Sequence, residues 1–180
     1  MPIFPLNQYP KLEYRKGSGK RWFGSSRNND RKHAACDLIA EAGSPVFAVA
    51  SGIVLNKHYF YDGTYALVVH HTFFVVRYGE IDKKLPDGVQ IGFPVVEGQH
   101  IANVGKLKTS GNSMLHFEMY QGTEIGELTQ RSNKNNYKYV PAANYQRRAD
   151  LLDPTPYLED WKLKTYFDGG SMEGTDVPGF

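Results

Sequence analysis

YALVVHHTFFVVRYGEI, residues 65–81, is the stretch that decides the fold. It holds two runs of β-branched, aliphatic and aromatic residues that meet near His71 and Thr72. Such residues fit a pleated, half-buried surface, and two runs over a short joint predict a hairpin. Outward from it, PVFAVASGIVL (45–55) is a pair of apolar runs broken at Ser51-Gly52. QIGFPVVEGQHIANVG (90–105) reads as short strands with turns at Gly92, Gly98 and Gly105. In MLHFEMY (114–120) the period is two: Leu115, Phe117 and Met119 face one way, His116, Glu118 and Tyr120 the other. That alternation carries His116 toward a polar site while its neighbours fill the core. Beyond Gly43 the chain is therefore predicted to be mainly β, a compact antiparallel domain.

Of 180 residues, 41% are hydrophobic and 13% aromatic, which argues against disorder and allows one domain with a real core. Residues 1–30, rich in Pro, Gly, Asn and Arg, read as an irregular arm carrying Tyr9, Tyr14, Trp22 and Phe23. Residues 31–122 form the β core. Residues 123–165 read as a decoration packed on it: a polar QRSNKNN loop, then a turn at Asp153-Pro154-Thr155-Pro156 and a short helix capped by Thr155 or Asp153. Residues 166–180, Gly-rich, read as a mobile tail.

Net charge is +2, without the concentrated basic face of a nucleic-acid binder. Arg27, Arg31 and Lys32 read as a solvated loop. A single cysteine, Cys36, excludes an internal disulfide framework. No stretch approaches a membrane span. The start, MPIFPL, lacks a basic segment followed by an apolar one, so the expectation is synthesis in the cytoplasm without a signal peptide.

His33, Asp37 and His116 are the candidate metal ligands. Two imidazoles and a carboxylate suit one Zn²⁺ with a fourth position left for water, the arrangement of a hydrolase rather than of a structural site. HAACD alone is weak, since H-x-x-x-D arises by chance in roughly a third of chains with this many His and Asp. Its local conformation is also divided. RKHAACDLIAEAG has helix formers and a Gly stop, and a helix would put His33 and Asp37 on one face. A flat strand would hold them about 13 Å apart.

The ordered set is more specific: H-x-x-x-D, then GSPVFAVASGIV, an aliphatic strand ending in His71, the strand with Arg77-Tyr78, VVEGQHIANVG, and LHFE. Over about residues 20–122 it resembles the lysostaphin/LytM-type zinc endopeptidases, which cleave peptide cross-links of bacterial peptidoglycan. The resemblance implies that His33, Asp37 and His116 bind Zn²⁺. It implies a bent loop through Ala34-Ala35-Cys36 feeding a strand at Asp37-Leu38-Ile39, against the helical propensity. Peptidoglycan peptides would be the substrate, which a chain without a leader would reach by phage lysis or a contractile secretion machine.

Two positions depart from the family pattern. Glu80 stands where the family has the His of its Y-x-H strand, two residues after Tyr78, and Met114 replaces the first His of H-x-H. Glu80 has three readings: a general base, a solvated glutamate, or a fourth ligand that closes the site. Met114 cannot donate a hydrogen bond to an oxyanion. Tyr78, His70 and His71 are possible substitutes, with a hairpin-tip His in water as the alternative for His71. Glu118 is either a partner of His116 or an exposed strand glutamate. The functional readings are a zinc-dependent hydrolase of peptidoglycan amide bonds, a catalytically silent module of the same fold, or a cysteine hydrolase using Cys36 and His116.

Overall fold

Period-two alternation makes Met114–Tyr120 a strand with one apolar and one polar face, and the fold is built around it. In the computed structural model, which describes residues 2–132 and 143–166, this strand is β8. The strands are β1 (Cys36–Ile39), β2 (Pro45–Phe47), β3 (Gly52–Tyr59), β4 (Tyr65–His71), β5 (Phe74–Ile81), β6 (Pro94–Val95), β7 (His100–Asn103), β8, and β9 (Leu151–Leu152), followed by helix α1 (Thr155–Tyr166). Seven form an antiparallel sheet in the order β1-β8-β5-β4-β3-β6, with β9 added to β8; β2 and β7 form a second, two-stranded sheet.

The hairpin expected at residues 65–81 is β4 and β5, turning through Thr72 and the exposed Phe73. Residues 31–42 are not helical: the chain reaches β1, and Asp37 lies directly opposite His116 on β8. Propensity loses because a strand here buries Cys36 and Leu38 against the sheet, which a two-turn helix with Asp37 on its face could not do. β3 runs further than its apolar stretch, through Asn56, Lys57 and His58, because β4 pairs with its whole length.

Leu115, Phe117 and Met119 are fully buried, with Tyr78, Val76 and Leu38 beside them in the core. Helix α1 covers this apolar face. Asp153 caps it, its Oδ1 accepting from Thr155 N at 2.8 Å, with Thr155 and Pro156 opening the first turn. Trp161 then packs on Phe74 and edge-on to Phe117, with ring centroids 5.8 and 6.3 Å away. The irregular N-terminal arm joins the same core through the fully buried Phe4 and the nearly buried Leu6 and Tyr14. The stretch 133–142, most of the expected polar loop, and residues 167–180, nearly all of the expected tail, lie outside the described residues. Among the described residues no helix is long and apolar enough to cross a membrane.

Candidate metal centre

On the polar face of β8, cross-strand register gathers the site. Asp37 of β1 and Gly79 of β5 flank His116 on either side, and Arg77 of β5 faces Glu118. Gly79 has no side chain where one would crowd the Phe60 and His116 rings: a Cβ there would lie 3.0 Å from Phe60 Cε1 and 3.2 Å from His116 Cδ2. His33 arrives from the bent loop before β1, its ring centroid 5.0 Å from that of His116.

Three ligand atoms converge. His33 Nε2 lies 3.1 Å from Asp37 Oδ1 and 3.3 Å from His116 Nδ1, and His116 Nδ1 lies 2.8 Å from Asp37 Oδ1. All three residues are buried. The tautomers follow from the other side of each ring. His33 Nδ1 is 3.0 Å from Trp22 O, a carbonyl that can only accept, so Nδ1 carries the hydrogen and Nε2 its lone pair. His116 Nε2 is 2.9 Å from Glu118 Oε1, held as a carboxylate by two guanidinium groups, so Nδ1 carries the lone pair there. Two imidazole lone pairs and a carboxylate oxygen thus meet around one point, and they repel unless a cation stands between them. A metal ion meets that need, and so does a proton. With only a proton available, Asp37 and Glu118 outweigh burial and hold the His116 imidazolium up to about 9, while Asp37 itself is held well below the carboxylate range by His116 and His33 despite its burial.

Glu80 is at the rim of this cluster. It is the extra residue of a bulge in which Gly79 and Glu80 together oppose Ala66, and its φ of 59° lies in the left-handed region. A non-glycine held there costs free energy, and such strain concentrates at functional positions. Its Oε2 is buried with no hydrogen-bond partner, and burial pushes the carboxyl up to about 7, within reach of the His116 and Asp37 charges. It is therefore not a solvated glutamate. Met114 lies on the same face, opposite Ile39.

The other expected participants are not brought here. Tyr78 pairs with Phe117 on the core side, where its hydroxyl meets His71 Nε2 at 3.0 Å and accepts from Val49 N. His71 is completely buried, not a hairpin-tip residue in water, and burial pushes it down to about 4. His70, exposed, is its outward-facing neighbour on β4. Cys36 also faces the core, its thiol 3.4 Å from Thr155 Oγ1, and burial pushes it up to about 12. A buried neutral thiol on the opposite face from His116 cannot form the dyad of a cysteine hydrolase.

Three arginines reach the site that the sequence did not assign to it. Arg27 is not part of a solvated loop: its side chain is 25% exposed, and Nη2 lies 3.4 Å from Asp37 Oδ2. Arg77 and Arg147 both bind Glu118, which is fully buried rather than an exposed strand residue. For Arg77 a signal existed, since period two on β5 and β8 sets it facing Glu118; for Arg147 there was none.

Residues 31–135 match the family model described as peptidase family M23. The peptidoglycan DD-endopeptidase ShyC of Vibrio cholerae serotype O1 is 25% identical over 130 residues, 68% of this chain and 29% of that protein. ShyB, a peptidoglycan DD-endopeptidase of the same organism, is 35% identical over 89 residues, 48% of this chain and 20% of that protein. The match thus spans less than a third of either relative's length. Among solved structures, the antimicrobial peptidase lysostaphin from Staphylococcus simulans aligns with a TM-score of 0.57 at 21% identity, over 99% of this chain and 61% of that one. That likeness establishes the mainly β fold of the lysostaphin type.

Proposed function

The chain belongs to peptidase family M23, and from that premise we propose that it is a zinc-dependent hydrolase of amide bonds in peptidoglycan peptides. The observation that carries the reading is the convergence of three lone pairs from His33, Asp37 and His116 on one point. Zinc bound to two nitrogens and an oxygen at about 2.0–2.2 Å in tetrahedral geometry sets its ligand atoms roughly 3.3 Å apart, close to the separations present. His33 Nε2, Asp37 Oδ1 and His116 Nδ1 would hold the ion, and it would supply an acidified water and a polarised carbonyl.

The remaining chemistry falls to this chain's own side chains. Glu80 is assigned as the base: its unpartnered carboxylate oxygen takes the water proton and returns it to the leaving amine. His71 and Tyr78 take no part, since they bond to each other on the far face. Met114 favours a second reading, a silent module that binds wall peptide or a protein partner, because a thioether cannot donate to a developing oxyanion.

Metal content of the purified chain, measured with release of new amino groups from peptidoglycan sacculi, separates the two. The hydrolase reading expects one zinc per chain, strongly reduced occupancy in His116→Ala, and new amines from wild type alone. Zinc without amines supports the silent module. A wild-type chain still metal-free after zinc addition and dialysis sinks the metal assignment.

A further inference from the structure

Glu118 is the most heavily bonded side chain beneath the site. Its Oε1 accepts from His116 Nε2 at 2.9 Å and from Arg147 Nη2 and Nε at 3.0 and 3.1 Å. Its Oε2 accepts from Arg77 Nη2 and Nε at 2.5 and 2.9 Å, from the Tyr120 hydroxyl at 2.5 Å and, at a longer 3.3 Å, from Arg147 Nε. Two cations therefore hold one buried carboxylate. Arg77 alone already neutralises it, and Thr129 Oγ1 and the Phe60 ring hold the Arg77 guanidinium in place. The second cation needs another explanation.

Arg147 lies beyond the residues that match the family, in a segment pinned to both sides of the site. Asn144 O accepts from Lys32 N at 2.6 Å, next to His33, and Tyr145 stacks on Phe23 at 4.9 Å. Arg147 then bridges to Thr129, and Gln146, just before it, is held at a φ of 52°. Strained backbone at that point aims the guanidinium at the Oε1 side of Glu118, the side that faces His116.

We propose that Arg147 is a positioning residue for the metal centre: gripping Glu118 Oε1, it fixes the carboxylate so that His116 keeps its hydrogen on Nε2 and its Nδ1 turned to His33 and Asp37. The inference rests on the metal reading above and deepens it. Arg77 supplies the charge balance for Glu118 and Arg147 supplies its orientation. A carboxylate behind a ligating imidazole fixes the ring and raises its basicity, and loss of such a partner typically costs about 10–100-fold in metal affinity.

The test is zinc affinity of the full chain by competition with a chromophoric chelator, together with the visible absorption of the cobalt-substituted protein. Arg147→Met leaves the Arg77–Glu118 pair intact and is expected to bind zinc about 10–100-fold more weakly with an altered cobalt band. Arg148→Met is the control, because Arg148 sits in the same segment but pairs with Asp150 at 2.7 Å; it is expected to stay near wild type. Equal losses in the two variants reduce Arg147 to general support of the segment and overturn the proposal, as does wild-type affinity in Arg147→Met. Should Arg147→Met not fold, Arg147→Lys keeps the charge but loses the fork, and wild-type affinity there has the same consequence. A wild type that takes up no zinc overturns the metal reading itself, which distinguishes that failure from this one.

Discussion

The proposed chemistry turns on Glu80. A carboxylate with a buried, unpartnered oxygen beside three candidate ligands costs folding free energy, and its left-handed backbone adds to that cost. As the base it must be ionised, so turnover is expected to fall as pH drops through about 7, the value to which burial raises it. Glu80→Gln is expected to keep zinc and lose about 10²–10⁴-fold in turnover, because an amide cannot take the water proton. The stability sign is opposite to that of a salt-bridged carboxylate. With its folded pKa raised, the group's contribution is fully present below the unfolded value and is lost as pH rises through about 7. Zinc-free Glu80→Gln should therefore melt higher than zinc-free wild type at pH 8.5 and no differently near pH 4. Identical melts at both pH values, or a zinc-loaded variant cleaving at the wild-type rate, would remove Glu80 from the mechanism. The candidate ligands were readable as residues because short motifs carry them. Glu80's surroundings were not, since bulge conformation and burial come from the pairing of β4 with β5.

At the scale of elements, what the sequence showed was periodicity, and what it hid was registry. The alternation of MLHFEMY was enough to separate His116 and Glu118 from Leu115 and Phe117. Local propensity misread HAACD as helix, because the free energy that makes Cys36–Ile39 a strand comes from β8, about eighty residues away in the chain. Arg147 escaped for the same reason, its contact with Glu118 depending on a segment with no periodic signal. The bulge that presents Glu80 depends on a close approach of two backbones. Gly105 N donates to Glu80 O at 2.8 Å, and a Cβ on Gly105 would lie 2.9 Å from that oxygen and from Ile81 C. Gly105→Ala must push the end of β5 aside. It is expected to cost about 1–3 kcal/mol and to lower turnover more than zinc content, since His33, Asp37 and His116 lie elsewhere. Thermal melts and zinc analysis of one preparation check this; an unshifted melt would mean the β5 end yields freely.

Among the described residues, the two faces of one sheet divide the labour, and the N-terminal arm and helix α1 are joined on the face away from the site. Helix α1 receives the N-terminal arm: Thr165 Oγ1 accepts from Phe4 N at 2.9 Å, and the Tyr14 hydroxyl donates to Glu159 Oε1 at 2.5 Å. Trp161, 3% exposed, fills the space between that helix and the rings of Phe74 and Phe117. Phe117 is the strand neighbour of both His116 and Glu118, so packing from behind stabilises the strand that carries them. Trp161→Ala removes the largest side chain of that layer and is expected to cost about 3–5 kcal/mol, a large part of the stability of a domain this size. On the proposed metal reading, zinc held only by the folded state would offset part of the loss, about 2.7 kcal/mol at a free concentration a hundred times Kd. The variant should therefore melt far below wild type in a chelator and recover substantially when zinc is added, with its zinc affinity per folded molecule little changed. A loss of about 1 kcal/mol or less would mean that α1 is a passive cover. Failure of zinc to raise the melt, in variant and wild type alike, would separate the site from folding altogether.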